Sequence, residues 1–164
     1  MRIETNAEFD ATPVEVFAVL SDPTFVAAKA EEMSVGEHDG TVTTQGSSTV
    51  IATTRSLPSD DLPDVAKRFV GPVLTIVEEQ TWGAADAKGN RDARLKLHVV
   101  GVPVSLTGTI ALRAAGTAAT QHLVGDLTAK IPLMGGTIEK AAAPAIEAGI
   151  GVEVEMIKEW LARS

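Results

Sequence analysis

The stretch GGTIEKAAAPAIEAGIGVEVEMIKEWLARS, Gly135 to Ser164, decides the fold. With Met156 at the centre of an apolar face and a step of roughly 100° per residue, Ile138, Ala142, Ala145, Gly149, Val152, Met156 and Trp160 fall together. Lys140, Glu147, Glu155 and Lys158 fall opposite. One long amphipathic helix is predicted, from about Thr137 to Ala162. Glu153 departs from the pattern, because it lands between Gly149 and Trp160 on the inward face. A carboxylate there is costly unless it is paired or solvated. A cavity holding water or a polar ligand group would solvate it. A Lys or Arg from the sheet would pair with it, and a rotation or kink of the helix would carry it to the rim. The small residues Ala142, Ala145 and Gly149 either leave volume for a ligand or let the helix approach its neighbours closely. Pro144 cannot donate to the carbonyl of Lys140, so it bends the helix or breaks it in two.

The residues upstream supply a sheet for this helix to close over. Arg2 to Asp10 alternates, with Ile3, Thr5, Ala7 and Phe9 on one face, which is a half-buried strand. Thr12-Pro13-Val14-Glu15 starts a short helix to Leu20: Thr12 caps, Pro13 suits the first position and Glu15 completes a capping box. Ser21-Asp22-Pro23 starts a second helix, running to about Met33. Six strands follow. Gly40 to Gln45 and Ser48 to Leu57 form a hairpin around Gly46-Ser47, and Val73 to Trp82 is rich in β-formers. A polar loop, Gly83 to Asn90, is expected to be mobile. Ala93 to Val100, Val104 to Ala114 and Thr120 to Ile131 alternate, with Leu106, Ile110, Leu112, Leu123 and Leu127 directed inward. Between them, Asp64 to Val70 has the pattern of about two helical turns, with Leu62, Val65, Ala66, Phe69 and Val70 on one side, and could lie as a lid over a cavity mouth.

The order predicts an α+β fold: a curved antiparallel sheet wrapped around a long C-terminal helix, with two short helices after the first strand. The 164 residues suit a single domain, 1–164, and no linker, repeat or low-complexity tract divides them. The chain is 45% apolar and only 4% aromatic, so its core is aliphatic. A net charge of −8 argues against nucleic acid, which needs a basic stripe. No run of about 18 apolar residues offers a membrane span, so no stable membrane insertion is expected. Met1 to Asn6 has no apolar leader region, which points to a cytoplasmic location. There is no Cys for a disulfide or thiolate site. His38, His98 and His122 lack metal-ligand spacing, and His98 and His122 fall opposite the apolar stripes. Gly135-Gly136 lacks the pattern of a phosphate loop, and no Ser lies in a GxSxG context. No cofactor or metal is expected. The sequence carries no signal of oligomeric state.

More specific is the set Leu57-Pro58, Leu62-Pro63, Phe69-Val70-Gly71-Pro72 and Thr81-Trp82-Gly83, followed by Lys130-Ile131-Pro132-Leu133-Met134-Gly135-Gly136-Thr137-Ile138-Glu139-Lys140. The chain resembles the helix-grip fold of the START-like superfamily over nearly its whole length. This set resembles a bacterial branch, mainly actinobacterial, with no established activity. The superfamily includes lipid-transfer domains, carriers of hydrophobic ligands, polyketide cyclases and aromatases. It has no universal catalytic motif, so the resemblance implies a fold and a cavity rather than a reaction.

Three functions follow as expectations. The first is binding or transport of a hydrophobic small molecule, lipid-like or polyketide-like, between sheet and helix. Its ligand would meet Ala142, Ala145, Gly149, Val152, Glu153 and Met156 of the helix and Leu106, Ile110, Leu123 and Leu127 of the sheet. Phe69 of the lid would join them, as would Trp82, either at the cavity mouth or as a cap on the core. The second is a cyclase-, aromatase- or hydrolase-type enzyme, for which Glu153 is the one candidate acid–base group. The third is a protein-interaction module. An aliphatic cavity favours carriage, convergent polar groups favour catalysis, and a filled core favours interaction.

Overall fold

The computed structural model describes residues 1–60, 62 and 64–163, with the side chain of Val65 outside the description. Its elements run in the order β1 (Arg2–Phe9), α1 (Pro13–Leu20), α2 (Pro23–Glu32), β2 (Asp39–Gln45), β3 (Ser48–Pro58), α3 (Asp64–Lys67), β4 (Val73–Trp82), β5 (Arg91–Val99), β6 (Val104–Ala115), β7 (Ala118–Ala129) and α4 (Gly135–Ala162). The strands form a seven-stranded antiparallel sheet in the order β1-β7-β6-β5-β4-β3-β2. The first strand therefore pairs with the last, and α4 follows at once from that closing pair.

Local chemistry sets the element boundaries. Thr12 accepts from the backbone N–H of Glu15 while the Glu15 carboxylate accepts from the N–H of Thr12, so the capping box is complete. Asp22 caps α2 through the N–H of Thr24. Both helices carry Pro in their first turn. Gly108 of β6 faces Gly125 of β7 across the ladder. A Cβ on Gly108 would fall 2.1 Å from the carbonyl oxygen of Val124. The strands come this close here because neither residue has a side chain.

One local expectation changes, and two other segments take definite form. Helix α3 is one turn rather than two. Beyond Lys67 the chain tightens into bonds from the N–H of Phe69 to the carbonyl of Ala66 and from Val70 to Lys67, and Pro72 disfavours helix at the residue before it. Asp61, Pro63 and the side chain of Val65 lie outside the described residues. The Gly83–Asn90 loop is organised around Asp86. That carboxylate accepts from the N–H groups of Lys88 and Asn90, and Asn90 in turn accepts from the N–H of Ala114. Pro144 lies within α4 without ending it. No helix among the described residues is long and apolar enough to cross a membrane.

The buried face of α4 differs most. It carries Ile138, Ala143, Glu153 and Ile157, which turns it by roughly 80° from a face centred on Met156. Ile157 is 0% exposed and Val152 is 40% exposed. Ile157 is buried and Ile146, Ile150 and Leu161 pack against the core, and a side of large aliphatic residues gains more from turning inward than a row of small ones. Glu153 moves from the margin of that face to its centre.

Candidate functional site

Between the concave sheet and α4 lies a cavity of about 320 Å³. Leu57 of β3, Ile76 of β4, Leu95 and Leu97 of β5, Leu106 of β6 and Leu123 of β7 wall it from the sheet side. Ala145, Ile146, Ala148, Gly149, Ile150 and Val152 close it from α4, and Glu32 and Met33 from the end of α2. Glu32, Ala145, Ala148 and Val152 are the exposed members of this lining, so the mouth lies between the C-terminal end of α2 and the middle of α4. A Cβ on Gly149 would meet the methyl of Met33 at 3.2 Å. Any larger residue there would press on the edge of the mouth.

One part of the wall is charged. Glu78 and Gln80 follow Ile76 on the inward side of β4, Arg55 comes from β3, Lys29 from α2 and Glu153 from α4. All five are buried. Lys29 Nζ donates to Glu78 Oε2 at 3.0 Å and also to Glu153 Oε2. Arg55 Nη1 donates to Glu78 Oε1 at 2.9 Å. Gln80 Nε2 donates to Glu78 Oε2 at 2.9 Å, and Trp82 Nε1 donates to Gln80 Oε1 at 3.0 Å. A chain of contacts thus runs from Trp82 through Gln80 and Glu78 to Lys29 and Glu153. Phe17 of α1 packs edge-on against Trp82 with ring centroids 5.6 Å apart, and this fixes the far end.

Burial by itself would discharge these groups, but their partners prevent it. For Lys29, burial favours the neutral amine; the Glu153 and Glu78 carboxylates outweigh burial and raise its pKa above the ordinary lysine value. For Glu78, burial favours the acid, yet the Lys29 ammonium and Arg55 guanidinium bring its pKa down to about 2. Both groups are therefore firmly charged at neutral pH. Among the described residues, no three His, Cys, Asp or Glu side chains gather in a metal-holding group.

The cavity brings together Glu153, Gly149, Ala145, Val152, Leu106 and Leu123 of the residues selected from sequence. The other six do not line it. Ile110 and Leu127 are packed in the core. Trp82 is wholly buried rather than at a mouth, and it serves as donor to Gln80. Met156 turns to an outer groove between α2 and α4, because the helix is rotated. Ala142 and Phe69 belong to a separate apolar space of about 60 Å³ beneath the α3 segment, together with Leu62, Ala66, Val102 and Ile138. The α3 segment covers that space and not the main cavity, and Phe69 stays 42% exposed.

The cation facing Glu153 comes from a helix and not from the sheet. Lys29, Arg55, Glu78 and Gln80 were not singled out in the sequence, although each leaves a signal there. Lys29 stands four residues after Phe25, on the buried stripe of α2. Arg55 shares strand parity with Ile51, and Glu78 and Gln80 share it with Trp82.

A family model described as "Protein of unknown function (DUF2505)" matches residues 4–161. No curated protein is similar to the chain in sequence. Among solved structures, a protein from Thermus thermophilus superposes with a TM-score of 0.64 at 14% identity, over 99% of this chain and 98% of that one. The Zhui aromatase/cyclase of Streptomyces sp. R1128 gives 0.63 at 12% identity, over 99% and 94%. A norcoclaurine synthase point mutant from Thalictrum, in complex with a transition-state analogue, gives 0.56 at 13% identity, over 99% and 94%. Likeness at these identities is likeness of fold. The fold is the START-like helix-grip fold that the sequence led us to expect.

Proposed function

We propose that this chain, which belongs to the DUF2505 family of proteins of unknown function, binds a hydrophobic small molecule, lipid-like or polyketide-like, in the cavity between sheet and α4. The observation that carries this reading is the cavity of about 320 Å³, aliphatic over most of its wall and polar in one place. Small-molecule sites have this composition, and their volumes begin near this value. Packed interiors hold few voids larger than a water molecule, so a space of this size supports a ligand over an interaction module built on a filled core.

An enzyme of cyclase, aromatase or hydrolase type is the second reading. The convergence of Lys29, Arg55, Glu78 and Glu153 in the wall is the observation in its favour. General acid–base catalysis is best served by a group that titrates near the working pH. Lys29 and Glu78 are displaced away from neutrality, in opposite directions. A mutually neutralised cluster suits orientation of a bound molecule better than proton transfer to it.

The test is the fluorescence of N-phenylnaphthylamine, a neutral hydrophobic probe, with the wild type and with Ala145→Phe, which places a large ring at the mouth. The wild type should give a saturable rise in emission. The variant, folded by circular dichroism, should bind about 10-fold more weakly or worse. No rise with the wild type, or equal binding by both proteins, would overturn the reading.

A further inference from the structure

The polar part of the cavity balances its own charge. Lys29 and Arg55 contribute two cations, and Glu78 and Glu153 contribute two anions; all are buried and all reach the cavity wall. Glu78 is fully engaged, accepting from Arg55 Nη1, Lys29 Nζ and Gln80 Nε2. The remaining capacity is of two kinds. Lys29 has three ammonium protons and two carboxylate partners, and Arg55 Nη2 makes no hydrogen bond among the described residues. Glu153 bonds Lys29 through Oε2, while its Oε1 accepts no hydrogen bond among the described residues. Spare donors and a spare acceptor thus stand beside a space walled by Leu57, Ile76, Leu95 and Ile150.

We infer that the ligand is an uncharged molecule with an apolar body and one hydroxyl or carbonyl group, and that this group sits beside Lys29, Arg55 and Glu153. The inference rests on the binding reading above and adds the chemical class. A carboxylate or phosphate would bring a further negative charge to cations that Glu78 and Glu153 already neutralise, so its desolvation would not be compensated. A cationic ligand fails for the mirror reason. A plain hydrocarbon would leave the spare donors and acceptor without partners. A hydroxyl donates to Glu153 Oε1 and accepts from Lys29 or Arg55; a carbonyl uses the donors alone.

Three probes of one shape separate these cases by isothermal titration near neutral pH: β-naphthol, which is uncharged there, β-naphthoate, which is ionised, and naphthalene. The wild type should bind β-naphthol at least about 10-fold more tightly than β-naphthoate, and more tightly than naphthalene. Glu153→Gln removes one negative charge from the cluster and should reverse the order of β-naphthol and β-naphthoate. Binding of β-naphthoate to the wild type as tight as that of β-naphthol would overturn the inference, as would equal binding of naphthalene and β-naphthol, and either would leave the cavity reading standing. Failure of all three to bind would remove the cavity reading and the inference with it. Should Glu153→Gln not fold, the wild-type comparison decides alone.

Discussion

Lys29 of α2 and Glu153 of α4, 124 positions apart in the chain, form a buried ion pair in the wall of the central cavity. The same Lys29 ammonium also holds Glu78 of β4. The pair therefore ties two helices and the sheet together at one point, and the first predictions concern it.

Glu153→Gln keeps the shape and removes the charge. Lys29 would retain Glu78, but the cluster would carry one uncompensated positive charge in a buried place. A loss of about 3 kcal/mol is expected in chemical denaturation, the lower end of what breaking a buried pair does. Adding Lys29→Met to this variant restores neutrality, so the double variant should lose less than the sum of the two single losses. An unchanged or raised midpoint for Glu153→Gln alone would mean that the pair is not formed.

The pH dependence has a definite sign. Glu78 titrates lower in the folded chain, at about 2, than the ordinary glutamate value of 4.5. Its contribution to stability is present above 4.5 and is lost as the pH falls from there towards 2. Lys29 is raised above its ordinary 10.5; its contribution is present below 10.5 and is lost as the pH rises through the folded value. Urea midpoints measured across pH should show a broad plateau with an acid limb that Glu78→Gln flattens. An acid limb of equal steepness in Glu78→Gln would assign it to other carboxylates.

How much of this was legible beforehand depends on the kind of signal. Hydrophobic periodicity located the strands to within two or three residues, and capping residues located α1 and α2. The register of α4 was the larger error. The row from Ile138 to Trp160 was centred on Met156, whereas burial of Ile138, Ala143, Glu153 and Ile157 places Glu153 near the centre. The charged cluster was hidden for a physical reason. A buried charge is stable only with its partners, and these partners meet across elements far apart in sequence. A lone Lys, Arg or Glu on a strand or helix reads as solvent-facing until its parity with Phe25, Ile51 or Trp82 is followed.

Trp82→Phe keeps the ring against Phe17 and deletes the donor to Gln80 Oε1. The buried acceptor left behind should make this variant less stable by about 1–3 kcal/mol. A thermal or urea midpoint equal to that of the wild type would show that the indole N–H does not support the cluster.

Two glycines should respond in opposite ways to alanine. At Gly108 the new methyl would lie 2.1 Å from a backbone oxygen of the neighbouring strand, so Gly108→Ala should lose about 3 kcal/mol or more. Gly136, in the first turn of α4, has nothing within 4 Å of the added carbon, and Gly136→Ala should gain about 0.5–1 kcal/mol. Similar effects at both sites would contradict the close approach of β6 and β7 at the glycine pair.

The central claim is that a hydrophobic molecule enters the space between sheet and α4. Methyl-labelled NMR spectra recorded during titration with β-naphthol test it most directly. The methyls of Leu57, Ile76, Leu95, Leu97, Ile146 and Ile150 line that space and should shift together with saturation. Those of Ile3 and Leu127, packed elsewhere in the core, should move little. Shifts confined to Leu62, Val102 and Ile138 beneath the α3 segment, or to Met156 in the outer groove, would contradict the account, as would no saturable shift at all.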